Sequence, residues 1–308
     1  MGKAMLRTMS RTELRKRRDL LWQVALPDAC GFQVFNRRFP KCESYGGHMR
    51  SARSLIARRT MLSAGALAPL ALLGYSPAGS QLAGDPRPFV LVHGAWHGGW
   101  CWKKLTPLLT GAGRRVSTPT LTGLGERSHL LTPEVDLDMH ILDVAAVLEY
   151  EDLSNVVLVG HSYGGMVISG VADVAGSRIA HLVYLDAFLP ENGKALSDYA
   201  PLPPTREDGW RVPPPSGAEG FGVTEEEDIA WVQSRLGDQP LRTLTQPVVS
   251  AAAARIPSTF IQCSEAPFFA EAGERARARG FRYYALPSAG HDAMITQPRE
   301  LAAILLEV

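Results

Sequence analysis

The stretch "VLVGHSYGGM", Val157–Met166, decides how this chain is read. Three aliphatic residues run into Gly160-His161-Ser162-Tyr163-Gly164, and the helix-like "GGMVISGVADVAG", Gly164–Gly176, follows without a gap. A serine flanked by glycines two before and two after it permits a tight turn from strand to helix that lifts its hydroxyl above the strand end. The G-x-S-x-G pattern is common by chance, so its weight comes from the strand before it and the helix after it. In that context Ser162 is the candidate nucleophile, and a purely structural turn is the competing reading.

On either side of it, "PFVLV" (Pro88–Val92), "NVVLV" (Asn155–Val159), "HLVYL" (His181–Leu185) and "STFIQC" (Ser258–Cys263) are short apolar runs, each followed by a turn signal. Their apolarity is continuous rather than alternating, which predicts strands covered on both faces. Helical patterns stand between them: "WKKLTPLLTGAG", "DLDMHILDVAAVLEY", "GGMVISGVADVAG" and the closing "QPRELAAILLEV". Strands alternating with helices predict a mostly parallel α/β sheet flanked by helices. Residues about 190–250, with "PLPPTREDGW" and "RVPPPSG", are too long and too rich in proline for a plain crossover and read as an inserted lid. Its aromatics Trp210, Phe221 and Trp231 either line an apolar pocket or form ordinary lid core.

A chain of 308 residues, 45% hydrophobic and 20% charged, can bury one large core. Its charge is uneven. Residues 1–59 hold 14 Lys/Arg against 4 Asp/Glu, and residues 60–308 hold 18 against 27. The acidic body gives no electrostatic reason to seek nucleic acid or an anionic membrane surface. The basic front carries Arg58-Arg59-Thr60-Met61-Leu62, then the short apolar "MLSAGALAPLALLG" and small residues near Ala78 to Ser80. These are the parts of a twin-arginine-type signal over residues 49–84, with Met61 where a Phe is usual, and they predict export to the periplasm or beyond. A core or amphipathic helix is the alternative. The run is too short for a comfortable span, so membrane contact is expected only through an uncleaved signal. Residues 1–48 are expected to be an upstream extension, with translation starting at Met49. Cys30 and Cys42 fall in that stretch and Cys101 and Cys263 in the body, which argues against a disulfide framework. The oligomeric state is left open, a homodimer being one option.

Two further motifs surround the serine. "VLVHGAWHGGWCW", Val90–Trp102, ends the first strand at His93-Gly94 and places the Ala95 N–H in a loop that can supply one oxyanion donor; the Tyr163 N–H is the second. His93 and His97 have no Cys, Asp or Glu close in sequence to complete a metal site, so structural roles are expected and no metal or cofactor is required. Downstream, "LPSAGHDAMITQP" puts His291 in a loop after "FRYYAL" and before the last helix, the place for a general base. Asp292 beside it reads as a polar group of the loop or of the helix start.

From about residue 86 onward the chain resembles the α/β-hydrolase superfamily, in the branch of plant methylesterases, hydroxynitrile lyases and related bacterial esterases. The resemblance is carried by "LVHGAWHGGWCW", "LTGLGERSHL", "HILDV", "GHSYGGM", "YLDAFLP" and "GHDAM". It implies one hydrolase domain over residues 85–308. It also implies a triad acid, which in most of the superfamily follows the strand before the histidine strand. That stretch here is "FIQCSEAPFF", where Glu265 is the available carboxylate. In some relatives the acid stands one strand earlier, where this chain has Asp186 in "VYLDAFLP". A strand-end aspartate is held more firmly than a glutamate followed by Pro267, which favours Asp186 over its rival Glu265. The expected activity is hydrolysis of a small or aromatic carboxylic ester through Ser162, His291 and Asp186. Cyanohydrin cleavage is disfavoured because no Lys follows Lys194, and a ligand-binding member of the same fold is the reading from a different class.

Overall fold

The sequence Phe89–Val92 contains no polar side chain and all four residues are buried, so this strand, β1, has to be covered on both faces. The computed structural model describes residues 86–263 and 267–308. The expected signal segment and upstream extension, and Glu265, lie outside the described residues. After β1 come β2 (Val116–Ser117), β3 (Val156–His161), β4 (Ile179–Leu185), β5 (Arg211–Val212), β6 (Gln239–Pro240), β7 (Ser258–Cys263) and β8 (Arg282–Leu286). Six of them form one sheet in the order β2-β1-β3-β4-β7-β8, every pairing parallel. β5 and β6 pair antiparallel in a separate ribbon.

Side chains alternate across the strands and divide the core in two. Val90, Val92, Leu158, Leu182, Tyr184 and Phe260 pack with the helices Leu137–Tyr150, Gly164–Ala175 and Ala270–Ala278. Phe89, Leu91, Val157, Val159, Val183, Leu185 and Ile261 pack on the other face with Trp102, Leu109, Leu301 and Leu305, from the helices Thr106–Gly111 and Pro298–Leu306 and the turn before them. Burying each such side chain contributes about 1.5–3 kcal/mol relative to leaving it in water.

Register aligns the strand ends. Val92 pairs with Gly160, His161 with Leu185, Leu185 with Ile261, and Cys263 with Leu286. His93, Ser162, Asp186 and the loop carrying His291 therefore all leave the same carboxyl edge. The chain runs from β1 to β2 on one side and crosses to β3 on the other, and that reversal opens a crevice at the strand ends between them.

Two elements differ from expectation. In "RRVSTPTL", Arg114–Leu121, whose β-branched residues favour a strand, only Val116–Ser117 pairs, at the edge of the sheet with a single neighbour. The helix expected from Trp102 begins at Thr106, with Pro107 in its first turn, after a 3₁₀ turn over Gly99–Trp102.

Candidate active site

Ser162 has φ +54, left-handed for a residue with a side chain, and the backbone around it leaves no room for larger neighbours. A Cβ on Gly160 would lie 2.6 Å from the Gly164 carbonyl oxygen, and one on Gly164 2.7 Å from the Val92 carbonyl oxygen. Two hydrogen bonds to the Ser162 carbonyl, from the N–H of Gly165 (3.0 Å) and of Phe188 (3.1 Å), hold the turn. The Ser162 N–H donates to Leu185 O at 3.2 Å and so extends the β3–β4 ladder by one residue.

Asp186 makes the same kind of sharp departure from β4, with φ +41. Its N–H donates to Ile261 O at 2.7 Å, and its fully buried carboxylate accepts the Cys263 N–H on Oδ1 at 3.1 Å and His291 Nδ1 on Oδ2 at 2.7 Å. With Nδ1–H held by the carboxylate, Nε2 is the ring nitrogen left to exchange a proton. The His291 ring lies between Phe221 and Phe269, with centroids 6.2 and 5.3 Å away, and near-parallel to Phe269 at 9°. It packs 4.4 Å from the ring of His161, the residue before Ser162. The Ser162 hydroxyl makes no hydrogen bond to His291; contacts of this kind commonly close when substrate binds.

The loop after β1 is close by. A Cβ on Gly94 would fall 3.0 Å from the Ser162 Cβ, so the loop after β1 passes directly over the serine. Among the described residues neither the Ala95 N–H nor the Tyr163 N–H donates to a protein acceptor. Tyr163 is anchored at its other end. Its hydroxyl lies 2.9 Å from His140 Nδ1, and His140 Nε2 donates to Thr122 O at 2.8 Å. Burial pulls the His140 pKa down to about 4, so the ring is neutral and accepts the tyrosine O–H.

His93 and His97, which the sequence leaves as structural residues, have defined partners. His93 donates from Nδ1 to Gly94 O (2.8 Å) and accepts the Leu121 N–H on Nε2 (3.1 Å); burial lowers its pKa to about 3. His97 bonds Ala95 O through Nδ1 (2.7 Å) and Asp292 through Nε2 (3.1 Å). Asp292 stands at the start of the short helix Ala293–Thr296, but its side chain is wholly buried and makes no cap hydrogen bond there. Sequence reading also passes over Gln239 and Trp96. Trp96, at φ +65, donates its N–H to Gln239 Oε1 (3.1 Å) and accepts the Gly237 N–H on its carbonyl (3.0 Å), which ties the loop after β1 to the segment carrying β6. A single glutamine 143 residues away leaves no pattern that would reveal this.

Of the three expected lid aromatics, Phe221 faces His291, whereas Trp231 packs on Trp100 (5.3 Å) and Trp210 under the Arg211 guanidinium (5.7 Å). Phe269 stacks on His291, and Phe188 and Phe268 pack on Phe269, with Phe268 61% exposed.

The Alpha/beta hydrolase family model matches residues 89–304. The chain belongs to the α/β-hydrolase family. Over 236 residues this hydrolase is 42% identical to the carbendazim hydrolyzing esterase of Nocardioides sp. (strain SG-4G), a match covering 70% of the chain and 96% of the relative. An alpha-hydroxynitrile lyase of Arabidopsis thaliana is 37% identical over 120 residues, 37% of this hydrolase and 46% of the plant protein, so that match spans less than half of the relative. Among solved structures, a methylesterase from Arabidopsis superposes with a TM-score of 0.59 at 26% identity, covering 72% of this hydrolase and 98% of that chain. With an esterase matched over nearly its whole length, this hydrolase is a carboxylic ester hydrolase acting on a small-molecule ester.

Proposed function

We propose that the enzyme cleaves a small or aromatic carboxylic ester through a Ser162–His291–Asp186 triad and an acyl-enzyme. The observation that carries this reading is the 2.7 Å hydrogen bond from His291 Nδ1 to the buried Asp186 carboxylate, which leaves Nε2 to act as base. His291 Nε2 takes the Ser162 proton as Oγ bonds to the ester carbonyl carbon. The resulting oxyanion accepts the Ala95 and Tyr163 N–H groups, and the helix Gly164–Ala175 presents its positive end to the same point. The protonated His291 gives its proton to the departing alkoxide, and water, activated by the same nitrogen, releases the acid and frees Ser162. Phe221, Phe269, Phe188 and Phe268 support an aromatic acyl or alcohol group beside the base, and the relative named for carbendazim makes that compound a substrate to try.

The test is turnover of p-nitrophenyl acetate, p-nitrophenyl butyrate and carbendazim by wild type and Ser162→Ala. The variant is expected to lose roughly 10⁴-fold or more in kcat. Wild-type protein without turnover on any ester of a graded chain-length panel would turn the reading into that of a ligand-binding member of the fold.

A further inference from the structure

We propose that Asp292 is a positioning residue, which holds His97 as a permanent imidazolium and so fastens the oxyanion loop to the loop of the base. The geometry stands by itself, while its catalytic meaning rests on the reading of Ser162, His291 and Ala95 above. β1 and β8, which launch those two loops, are separated in the sheet by β3, β4 and β7, so no strand ladder joins them. What joins them is one buried chain of contacts: Ala95 O to His97 Nδ1 (2.7 Å), and His97 Nε2 to Asp292 Oδ2 (3.1 Å), beside His291. The Asp292 N–H also donates to Phe221 O at 2.9 Å, which fixes the same loop to the residue stacked on the base.

The protonation of His97 follows from what its nitrogens face. A carbonyl oxygen has no hydrogen to give, so Nδ1 must donate to Ala95 O. Nε2 faces a carboxylate, which also accepts, and a ring that donates from both nitrogens is cationic. Burial alone works against the charge on either partner, yet the Asp292 charge and hydrogen bond outweigh it and raise the His97 pKa, and the His97 cation holds Asp292 below the usual carboxylate range. The remaining titratable groups facing the pair are His93 from the end of β1, His161 from the end of β3, His291 from the base loop, Cys101 from the Gly99–Trp102 turn and Cys263 from β7. His161 supplies no competing hydrogen bond: it is directed to His291 O at 3.0 Å, and its Nε2 lies 3.8 Å from Asp292 Oδ1, which has no hydrogen-bond partner. His93 and His140 serve as internal references, since each has one nitrogen that accepts.

The experiment is nitrogen-15 NMR of the histidine ring nitrogens in the full chain at pH 8, with His97, His93 and His140 assigned from the signal each loses on substitution by Gln. The expected result is two protonated nitrogens on His97 and one on each reference. In Asp292→Asn, His97 should revert to a singly protonated ring, and kcat should fall about 10- to 100-fold with KM within a few-fold of wild type. A neutral His97 in wild type overturns the proposal even if Asp292→Asn does not fold, and an unchanged kcat in a folded variant overturns its catalytic part. The NMR signature needs no turnover, so a failed Ser162 assignment would leave it intact, while failure of this proposal would leave esterase activity intact.

Discussion

Asp186 holds a left-handed backbone conformation that costs a residue with a Cβ about 1–3 kcal/mol, and it does so at the end of a strand buried from His181 onward. The compensation is local: its N–H continues the ladder to Ile261, and its two carboxylate oxygens take the Cys263 N–H and the His291 ring. Asp186→Asn keeps the shape but offers His291 a group that can donate as well as accept, so the ring can settle in the wrong tautomer. Its kcat on p-nitrophenyl butyrate is expected to fall roughly 10⁴-fold, with an unchanged circular dichroism spectrum, while Glu265→Gln stays within the same order of magnitude as wild type. Loss of kcat in the glutamate variant alone would move the role to Glu265. Asp186 could be found in the sequence because a carboxylate directly after four apolar residues has to be explained. Asp292 could not, since beside a loop histidine it looks like any polar residue, and the imidazole that accounts for its burial is 195 positions away.

At the scale of elements, the turn at Ser162 is a packing constraint as much as a backbone one. Gly160→Ala would drive a methyl group to 2.6 Å from the Gly164 carbonyl, closer than real Cβ contacts, so either the helix Gly164–Ala175 or β3 must move. A loss of about 1–3 kcal/mol in urea unfolding is expected, together with a large drop in kcat from the displaced serine. Gly111→Ala is the matched control: it is helical, nothing lies within 4 Å of its added Cβ, and it should be neutral or more stable by about 0.4–1 kcal/mol. Equal effects at the two glycines would mean that the turn is not sterically locked. The elements around this turn were legible because β3 and its helix follow each other without a loop and both are apolar enough to show their periods. β5 and β6 were not, since two residues each are too few to display an alternation, and they pair across 26 intervening residues. The same brevity hides the β2 boundary.

For the whole molecule, the consequence of folding is a set of imidazoles sealed in the neutral form. Burial lowers the pKa of His93 to about 3 and of His140 to about 4, and pushes that of His161 well below its ordinary value. In the unfolded chain these rings take up protons below about 6.5, so between that pH and their folded values the unfolded state binds more protons than the native state. A depressed folded pKa gives stability that is complete above the unfolded value and is lost as pH falls. Each fully buried ring should then cost up to about 1.4 kcal/mol per pH unit in that window. His97 has the opposite sign: its raised pKa gives stability that is complete below about 6.5 and is lost as pH rises through the folded value. The buried Cys101 and Cys263 thiols, raised by burial, add to the alkaline loss above about 8.5. The urea midpoint of the full chain should therefore be highest near neutral pH and already decline between pH 6.5 and 5, above the range in which ordinary carboxylates titrate. A midpoint that is flat from pH 7 to 5 and falls only below about 4.5 would mean that carboxylates, not these histidines, govern acid stability.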